Sequence, residues 1–390
     1  MPTRRTPSIP KASADDLGFR MPAEWDPHAA TWLAWPHYQP DWPGKFAPIP
    51  WVYTEIVRYL SRNERVEIIV QNASIEKLAR SMLKRAHAWN ANIRFHRWPT
   101  NRVWTRDSGC IFVFPSAEDR LPAAAPRPQL LQPVPRLCAI KWRFNAWAKY
   151  RNWRHDEKIG TRMARATGSE EIQPKFGTRR VVLEGGSIEV NGSGTLITTE
   201  ECLLSRVQLR NPQMTRGDYE KVFSEYLGVR HVIWLGSGIA GDDTHGHVDD
   251  ITRFVSRDTV VSCVDADPAS PNYDALRNNL RRLRDATTED GRPLATIDLP
   301  MPAPVYFDGR RLPASYANFY IANQTVLVPV FNDPNDRVAL DILADIFPDR
   351  EVVGIYCGDL IWGFGAIHCL TQQQPATPLG ARKPELQAGI

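Results

Sequence analysis

The chain has 390 residues, of which 43% are hydrophobic and 24% charged, a composition typical of a soluble globular protein. The net charge of +4 is small and basic residues are scattered among acidic ones, which argues against a nucleic-acid partner. No stretch is long enough to span a membrane, no signal peptide is expected, and six dispersed cysteines without a C-x-x-C pair predict a reduced, cytoplasmic protein without disulfides or structural zinc.

The first recognisable unit is strand–helix–strand. Residues 66–70 predict a strand, residues 74–88 have helical periodicity, and residues 93–98 predict a second strand. A loop that carries Asp107 comes next, and a third strand is predicted over residues 110–114.

A similar unit lies in the middle of the chain, with a predicted helix over residues 218–227 and a strand over residues 231–235. The loop after it carries His247 and Asp249, and a strand is predicted from residue 251. If the loop is itself extended, alternation places His247 and Asp249 on one face.

A third unit precedes Cys369: a strand over residues 326–331, a helix over residues 336–347 and a strand over residues 351–356. Asp107 and Cys369 therefore hold the same place in two copies. Weaker copies around residues 181–199 and 279–322 bring the number to about five, and units arranged around an axis would bring these loops into one pocket. Chance resemblance is the alternative, because strand–helix–strand is the commonest α/β arrangement.

The chain is long for a single core, so it is either two domains or one domain of repeated layers, and the repeats favour one domain over residues 17–376. Residues 1–16 and 377–390 are expected to be mobile tails. Residues 115–135 are rich in proline and predict a surface insertion between units.

Cys369 is a candidate nucleophile, because it follows small residues and precedes a polar segment that ends in proline. This pattern predicts a thiol at the end of a strand and open to a pocket. The alternative is a buried cysteine that acts as a small hydrophobic residue.

The segment from His245 to Asp249 has the H-x-H-x-D spacing with which some hydrolases begin a zinc site. Only His368 follows residue 250, so further histidine ligands are scarce and the metal alternative is disfavoured. The alternative to a functional role for Asp107 is that it forms a local turn or a surface pair with Arg106. Residues 183–187 could form a simple hairpin turn.

Taken together, the motifs resemble the family of agmatine deiminases and Porphyromonas-type peptidylarginine deiminases, which are guanidine-modifying enzymes. The resemblance extends over about residues 18–376. It rests on residues 21–25, 35–36, 106–109, 184–187, 198–204, 246–249, 316–323 and 367–375. It implies an α/β fold, the five-bladed propeller.

The resemblance also assigns roles to the catalytic residues. Cys369 would be the nucleophile and His247 the general acid and base, while Asp107 and Asp249 would hold the guanidinium between them.

Further matched positions would bind substrate: Trp104 by stacking near the guanidinium, and Glu184, Gly185 and Gly186 around it. Asp243 falls where agmatine deiminases have a glutamate that faces the substrate's amine. Its side chain is one methylene shorter, which puts the reach to substrate in doubt, as do the proline-rich insertion and the cysteine at position 110.

The implied reaction converts agmatine and water to N-carbamoylputrescine and ammonia through an amidino-thioether on the cysteine, a step towards polyamines, with no cofactor and no metal. A deiminase of free or peptidyl arginine, a metal-dependent hydrolase and a catalytically silent binding module are the alternatives. A homodimer is one of the oligomeric states left open.

Overall fold

The structure is a computed structural model that describes residues 18–115 and 137–377. The predicted proline-rich insertion and the two predicted tails lie outside the described residues, apart from Pro115 and Thr377 at their edges. The assignment of residues 17–376 to one domain stays a prediction.

Twenty-one strands occur in the described residues, most of them three to seven residues long. They are Phe19–Arg20 (β1), His28–Ala34 (β2), Arg65–Val70 (β3), Ile93–Arg97 (β4), Ile111–Pro115 (β5), Cys138–Ile140 (β6), Glu170–Ile172 (β7), Lys175–Phe176 (β8), Arg179–Arg180 (β9), Glu189–Val190 (β10), Thr195–Thr199 (β11), His231–Leu235 (β12), Thr252–Ser256 (β13), Thr259–Val264 (β14), Ala295–Pro300 (β15), Tyr306–Phe307 (β16), Arg310–Arg311 (β17), Tyr320–Ile321 (β18), Thr325–Val330 (β19), Glu351–Tyr356 (β20) and Gln372–Pro375 (β21).

The helices of the described residues are Ile49–Leu60 (α1), Ala73–Arg85 (α2), Thr105–Ser108 (α3), Ile159–Thr167 (α4), Glu200–Leu204 (α5), Arg216–Leu227 (α6), Tyr273–Arg284 (α7), Asn335–Ile346 (α8) and Ile367–Leu370 (α9). Local sequence explains several of their ends. Thr215 and Asp218 form a reciprocal capping box at the start of α6, and Gly228 ends that helix in the left-handed conformation.

Five sheets of three or four strands share one pattern: an antiparallel pair, a helical crossover, and a strand parallel to the second member of the pair. In sheet order they are β21-β2-β3-β4, β1-β5-β6-β7, β10-β11-β12, β13-β14-β15 and β18-β19-β20. The C-terminal β21 pairs with β2 near the N-terminus, with Gln372 opposite Trp32. These five blades confirm the predicted five-bladed α/β propeller.

The predicted repeat corresponds to these blades, and most of its strands and helices lie within one or two residues of their predicted bounds. Three local predictions were wrong. The loop at Asp107 is the helical turn α3, and Cys369 lies within the short helix α9 and not at a strand end. His247 precedes a 3₁₀ turn over Val248–Asp250, so strand alternation does not place Asp249 beside it.

The short helical segments bring the predicted residues together. Helix α3 packs against both α9 and a 3₁₀ turn over Gly185–Ser187, and that turn packs against the Val248–Asp250 turn. The loops at the ends of four blades therefore meet at one place.

Candidate functional site

A cavity of about 590 Å³ lies where these loops meet. Trp104, Asp107 and Cys369 line its enclosed end, and each is at most 6% exposed. Arg151 and Arg310 line its open end and are exposed to solvent. A volume of this size is within the range of small-molecule binding sites.

Cys369 lies at the enclosed end between an amide and a carboxylate. The Asn318 side chain donates to its Sγ over 3.2 Å, and the Sγ lies 3.7 Å from Oδ2 of Asp249. Burial raises the pKa of the thiol well above its ordinary value, and the carboxylates of Asp249, Asp250 and Asp107 raise it further. The thiol is therefore neutral before a cation binds.

Asp107 presents a carboxylate that is fixed at both oxygens. Its Oδ2 accepts from the indole of Trp147 over 2.9 Å, and its Oδ1 accepts from the backbone N–H of Gly186 over 3.0 Å. Burial raises its pKa to about 6, against the opposing effect of His247. Asp107 thus carries its negative charge at neutral pH and loses it in mild acid.

Asp249 is the second carboxylate beside the thiol. Its Oδ2 lies 2.7 Å from Nδ1 of His368. Its Oδ1 is enclosed and has no hydrogen-bond partner among the described residues. Although burial opposes ionisation, the contact with His368 holds the pKa of Asp249 below its ordinary value. The charged Oδ1 is therefore free to accept from a ligand.

His247 faces the same space from the other side. Its Nε2 lies 3.6 Å from Glu184 and its Nδ1 4.0 Å from Asp107, and neither nitrogen has a hydrogen-bond partner in the described part of the chain. Burial lowers its pKa, but Asp107, Cys202 and Glu184 outweigh burial and raise the pKa well above its ordinary value. The imidazole is therefore a protonated donor, suited to a general acid.

The backbone at Gly186 packs closely against these groups. A Cβ at this position would lie 2.6 Å from Nδ1 of His247 and 3.0 Å from an oxygen of both Asp107 and Asp249. The imidazole and the two carboxylates thus approach this backbone closely because the residue has no side chain.

The expected contact of Glu184 and Gly185 with substrate stays a prediction, and the structure shows which groups hold the two residues in place. Oε1 of Glu184 accepts from the buried guanidinium of Arg210 over 3.2 Å, and its Oε2 faces His247. Gly185 packs so closely on Arg106 that a Cβ would lie 2.4 Å from its carbonyl oxygen. Glu184 therefore lies against His247, and Gly185 lies against the turn that carries Asp107.

A buried ion network beneath the site escaped the sequence analysis. Glu24 accepts from Arg106 over 3.0 Å and from Arg253 over 2.7 Å, and it lies 2.8 Å from Nε2 of His368. The surface pair of Arg106 with Asp107 considered as an alternative is therefore wrong. The family resemblance included residues 21–25 and could have indicated that Glu24 matters. It assigned no role to Glu24.

The H-x-H-x-D segment does not form a set of metal ligands. His245 is in the left-handed region, and its Nε2 lies 3.0 Å from the hydroxyl of Ser205. In residues 18–115 and 137–377, the group of possible ligand atoms that comes together within 4.8 Å comprises Glu184, Cys202 and His247. The H-x-H-x-D spacing therefore does not bring His245, His247 and Asp249 together as one set of ligands.

Trp104 forms a wall of the cavity. Its ring centre lies 6.0 Å from that of Trp42, and Gly365 packs so closely that a Cβ there would lie 2.6 Å from the Trp104 ring. The ring is therefore held in place beside the carboxylates, where a planar cation would stack on it.

Asp243 also lines the cavity, but its carboxylate already has partners. Lys149 forms an ion pair with its Oδ1, and the hydroxyl of Tyr150 donates to its Oδ2 over 2.6 Å. A second carboxylate, Asp41, lies nearby, and burial raises its pKa to about 7 with Arg102 opposing and Asp243 adding to the effect. No sequence pattern had pointed to Asp41 or Lys149.

Comparison with known proteins agrees with this geometry. The family model of the Porphyromonas-type peptidyl-arginine deiminases matches residues 20–375. Agmatine deiminases of Pseudomonas syringae pv. tomato and Pseudomonas aeruginosa are 36% and 34% identical, each over 95% of this chain and 98% of the relative. The solved agmatine deiminase of Enterococcus faecalis is 30% identical with a TM-score of 0.80, and covers 93% of this chain and 97% of its own. In the described residues no helix is both long and apolar enough to cross a membrane.

Proposed function

The chain belongs to the Porphyromonas-type peptidyl-arginine deiminase family, and we propose that it hydrolyses agmatine to N-carbamoylputrescine and ammonia. The observation that carries the proposal is the pair of carboxylates, Asp107 and Asp249, beside the thiol of Cys369. The agmatine deiminases that match nearly the whole chain support the choice of substrate.

Binding of the guanidinium depends on its positive charge and on its planar shape. A guanidinium is planar and always charged near neutral pH, and it donates hydrogen bonds in pairs to carboxylates. Asp107 and the free Oδ1 of Asp249 supply the acceptors, and Trp104 supplies a stacking face. Because Gly186 has no side chain, His247 and both carboxylates can keep these positions.

The bound cation also prepares the nucleophile. In the free protein the neighbouring carboxylates disfavour the Cys369 thiolate, and a cation placed between them reverses that field. The thiol then loses its proton to solvent, the resulting thiolate attacks the guanidino carbon, and a sulfur–carbon bond forms.

His247 moves the protons of the two half-reactions. It donates a proton to the departing nitrogen, one carbon–nitrogen bond breaks, and ammonia leaves an amidino-thioether on Cys369. Neutral His247 then takes a proton from water as its oxygen adds to the same carbon, the sulfur–carbon bond breaks, and the ureido product is released.

Arginine is the second candidate substrate, because Lys149, Arg151 and Arg310 stand near the open end, where an α-carboxylate could find a cation. Ammonia release from agmatine, arginine and a blocked arginyl peptide separates the candidates. We expect the highest kcat/KM with agmatine, and equal values for arginine would contradict the proposal. Activity should survive exhaustive chelation, whereas loss reversed only by zinc would favour a metal-dependent hydrolase.

We also infer a cytoplasmic location. Six cysteines, all within the described residues, are buried and form no disulfide with one another, as expected of a protein kept in a reducing compartment. Fractionation of cells followed by immunoblotting would test this inference.

A further inference from the structure

The carboxylate that matches the amine-binding position of the family is already occupied by an ammonium of the chain itself. Lys149 pairs with one oxygen of Asp243 and Tyr150 donates to the other. The Lys149 side chain is 39% exposed and that of Asp243 is 14% exposed. The lysine therefore reaches Asp243 from the solvent side.

An unusual turn holds Lys149 in this place. Residues 146–148 are three successive non-glycine residues with φ of 53°, 57° and 53°, a conformation that persists only where its surroundings enforce it. The side chain of Gln208 donates to the carbonyls of both Trp147 and Asp243, over 3.1 and 3.2 Å. The turn is thereby tied to the loop that carries Asp243.

We propose that Lys149 is a specificity-determining residue, whose ammonium holds Asp243 in the free enzyme and is exchanged for the terminal ammonium of the substrate. This proposal rests on the proposed function, because it concerns the amine end of the same site. The exchange replaces one ammonium by another, so the charge around Asp243 is conserved. Lys149 can leave because its chain is long, flexible and already partly in water.

Asp41 makes the exchange favourable for a ligand inside the cavity. Its Oδ2 is enclosed and has no hydrogen-bond partner among the described residues, and the carboxylate of Asp243 helps to raise the pKa of Asp41. An ammonium that arrives from within the cavity meets both carboxylates, whereas Lys149 contacts Asp243 alone of the two.

The same exchange predicts how the enzyme distinguishes its candidate substrates. A displaced Lys149 ammonium remains near the open end, where it would attract the α-carboxylate of arginine. Removal of Lys149 should therefore tighten agmatine binding and weaken arginine binding. Lys149 therefore lowers the ratio of the affinity for agmatine to the affinity for arginine.

The test measures binding, not turnover, on the Cys369→Ala background. Agmatine and ethylguanidine, which has no amine, are titrated by calorimetry into this variant with and without Lys149→Met. The ratio of the two affinities isolates the amine end. We expect Lys149→Met to tighten agmatine roughly two- to fivefold relative to ethylguanidine, the strength of a partly exposed ion pair.

Arg151→Met is the matched control, because it removes the same charge from the open end without a contact to Asp243 in the described residues. Arg151→Met acts on the ammonium of agmatine only through the long-range field, so it should raise the ratio less than Lys149→Met does. An unchanged or lower ratio in Lys149→Met, or an equal rise in Arg151→Met, would overturn the proposal. Failure of wild-type enzyme to release ammonia from agmatine would instead refute the proposed function, whatever the binding ratio.

Discussion

Replacement of Gly186 by alanine tests whether turnover needs the observed positions of His247, Asp107 and Asp249. The added Cβ would lie 2.6 Å from Nδ1 of His247, whereas ordinary contacts begin at 3.4 Å, so the imidazole or the backbone must move by about 0.8 Å. The same methyl group would lie 3.0 Å from an oxygen of both Asp107 and Asp249. Misplacement of reacting groups by roughly 1 Å lowers rates about 100-fold. We therefore expect kcat/KM to fall by about two orders of magnitude.

The assay is ammonia release at a temperature where the variant is folded, as judged by its circular dichroism melting curve, since overpacking can destabilise by about 1–3 kcal/mol. Gly217→Ala is the matched control. It lies exposed in α6 with no atom within 4 Å of the added Cβ, and it should keep full activity. A folded Gly186→Ala variant with kcat/KM within threefold of wild type would refute the requirement for these positions.

Three further predictions concern individual groups of the site. Cys369→Ala should abolish turnover without lowering Tm appreciably, because the nucleophile has no substitute but its side chain is small; turnover retained in this variant would contradict its role. Because burial raises the pKa of Asp107 to about 6, kcat/KM should fall as the pH drops through 6 and the carboxylate loses its charge. At saturation the bound cation favours the ionised form, so kcat should hold to lower pH, and coincident profiles would argue against Asp107 as the guanidinium ligand. Asp243→Asn should lower kcat/KM for agmatine roughly tenfold and leave ethylguanidine unaffected, whereas equal losses for both would place Asp243 outside the amine end.

The blades were predictable where the sequence carries strong periodicity. The apolar residues of β3 and β12 and the helical periodicity of α8 give clear signals, because both strands are largely buried and the helix buries one face. The closing strand β21 was not predicted as a strand. Its three glutamines were interpreted as a polar segment, yet they are buried, and the strand pairs with β2.

The site was predictable in its residues and not in its local geometry. Motif resemblance pointed to Asp107, His247, Asp249 and Cys369, which the fold brings to one space. Their backbone forms short helical turns that are too brief for periodicity to reveal. Contacts over long sequence distances, such as Lys149 with Asp243, leave no pattern in the sequence at all.

The most direct test of the mechanism is rapid-quench intact-mass analysis of wild-type enzyme mixed with agmatine. A covalent route through Cys369 predicts an adduct with the mass of agmatine less one ammonia, which peptide mapping places on Cys369 and which is absent from Cys369→Ala. Steady turnover with the adduct on another cysteine, such as the buried Cys202 near His247, would contradict the assignment. Turnover by Cys369→Ala at the wild-type rate would contradict covalent catalysis through Cys369 itself.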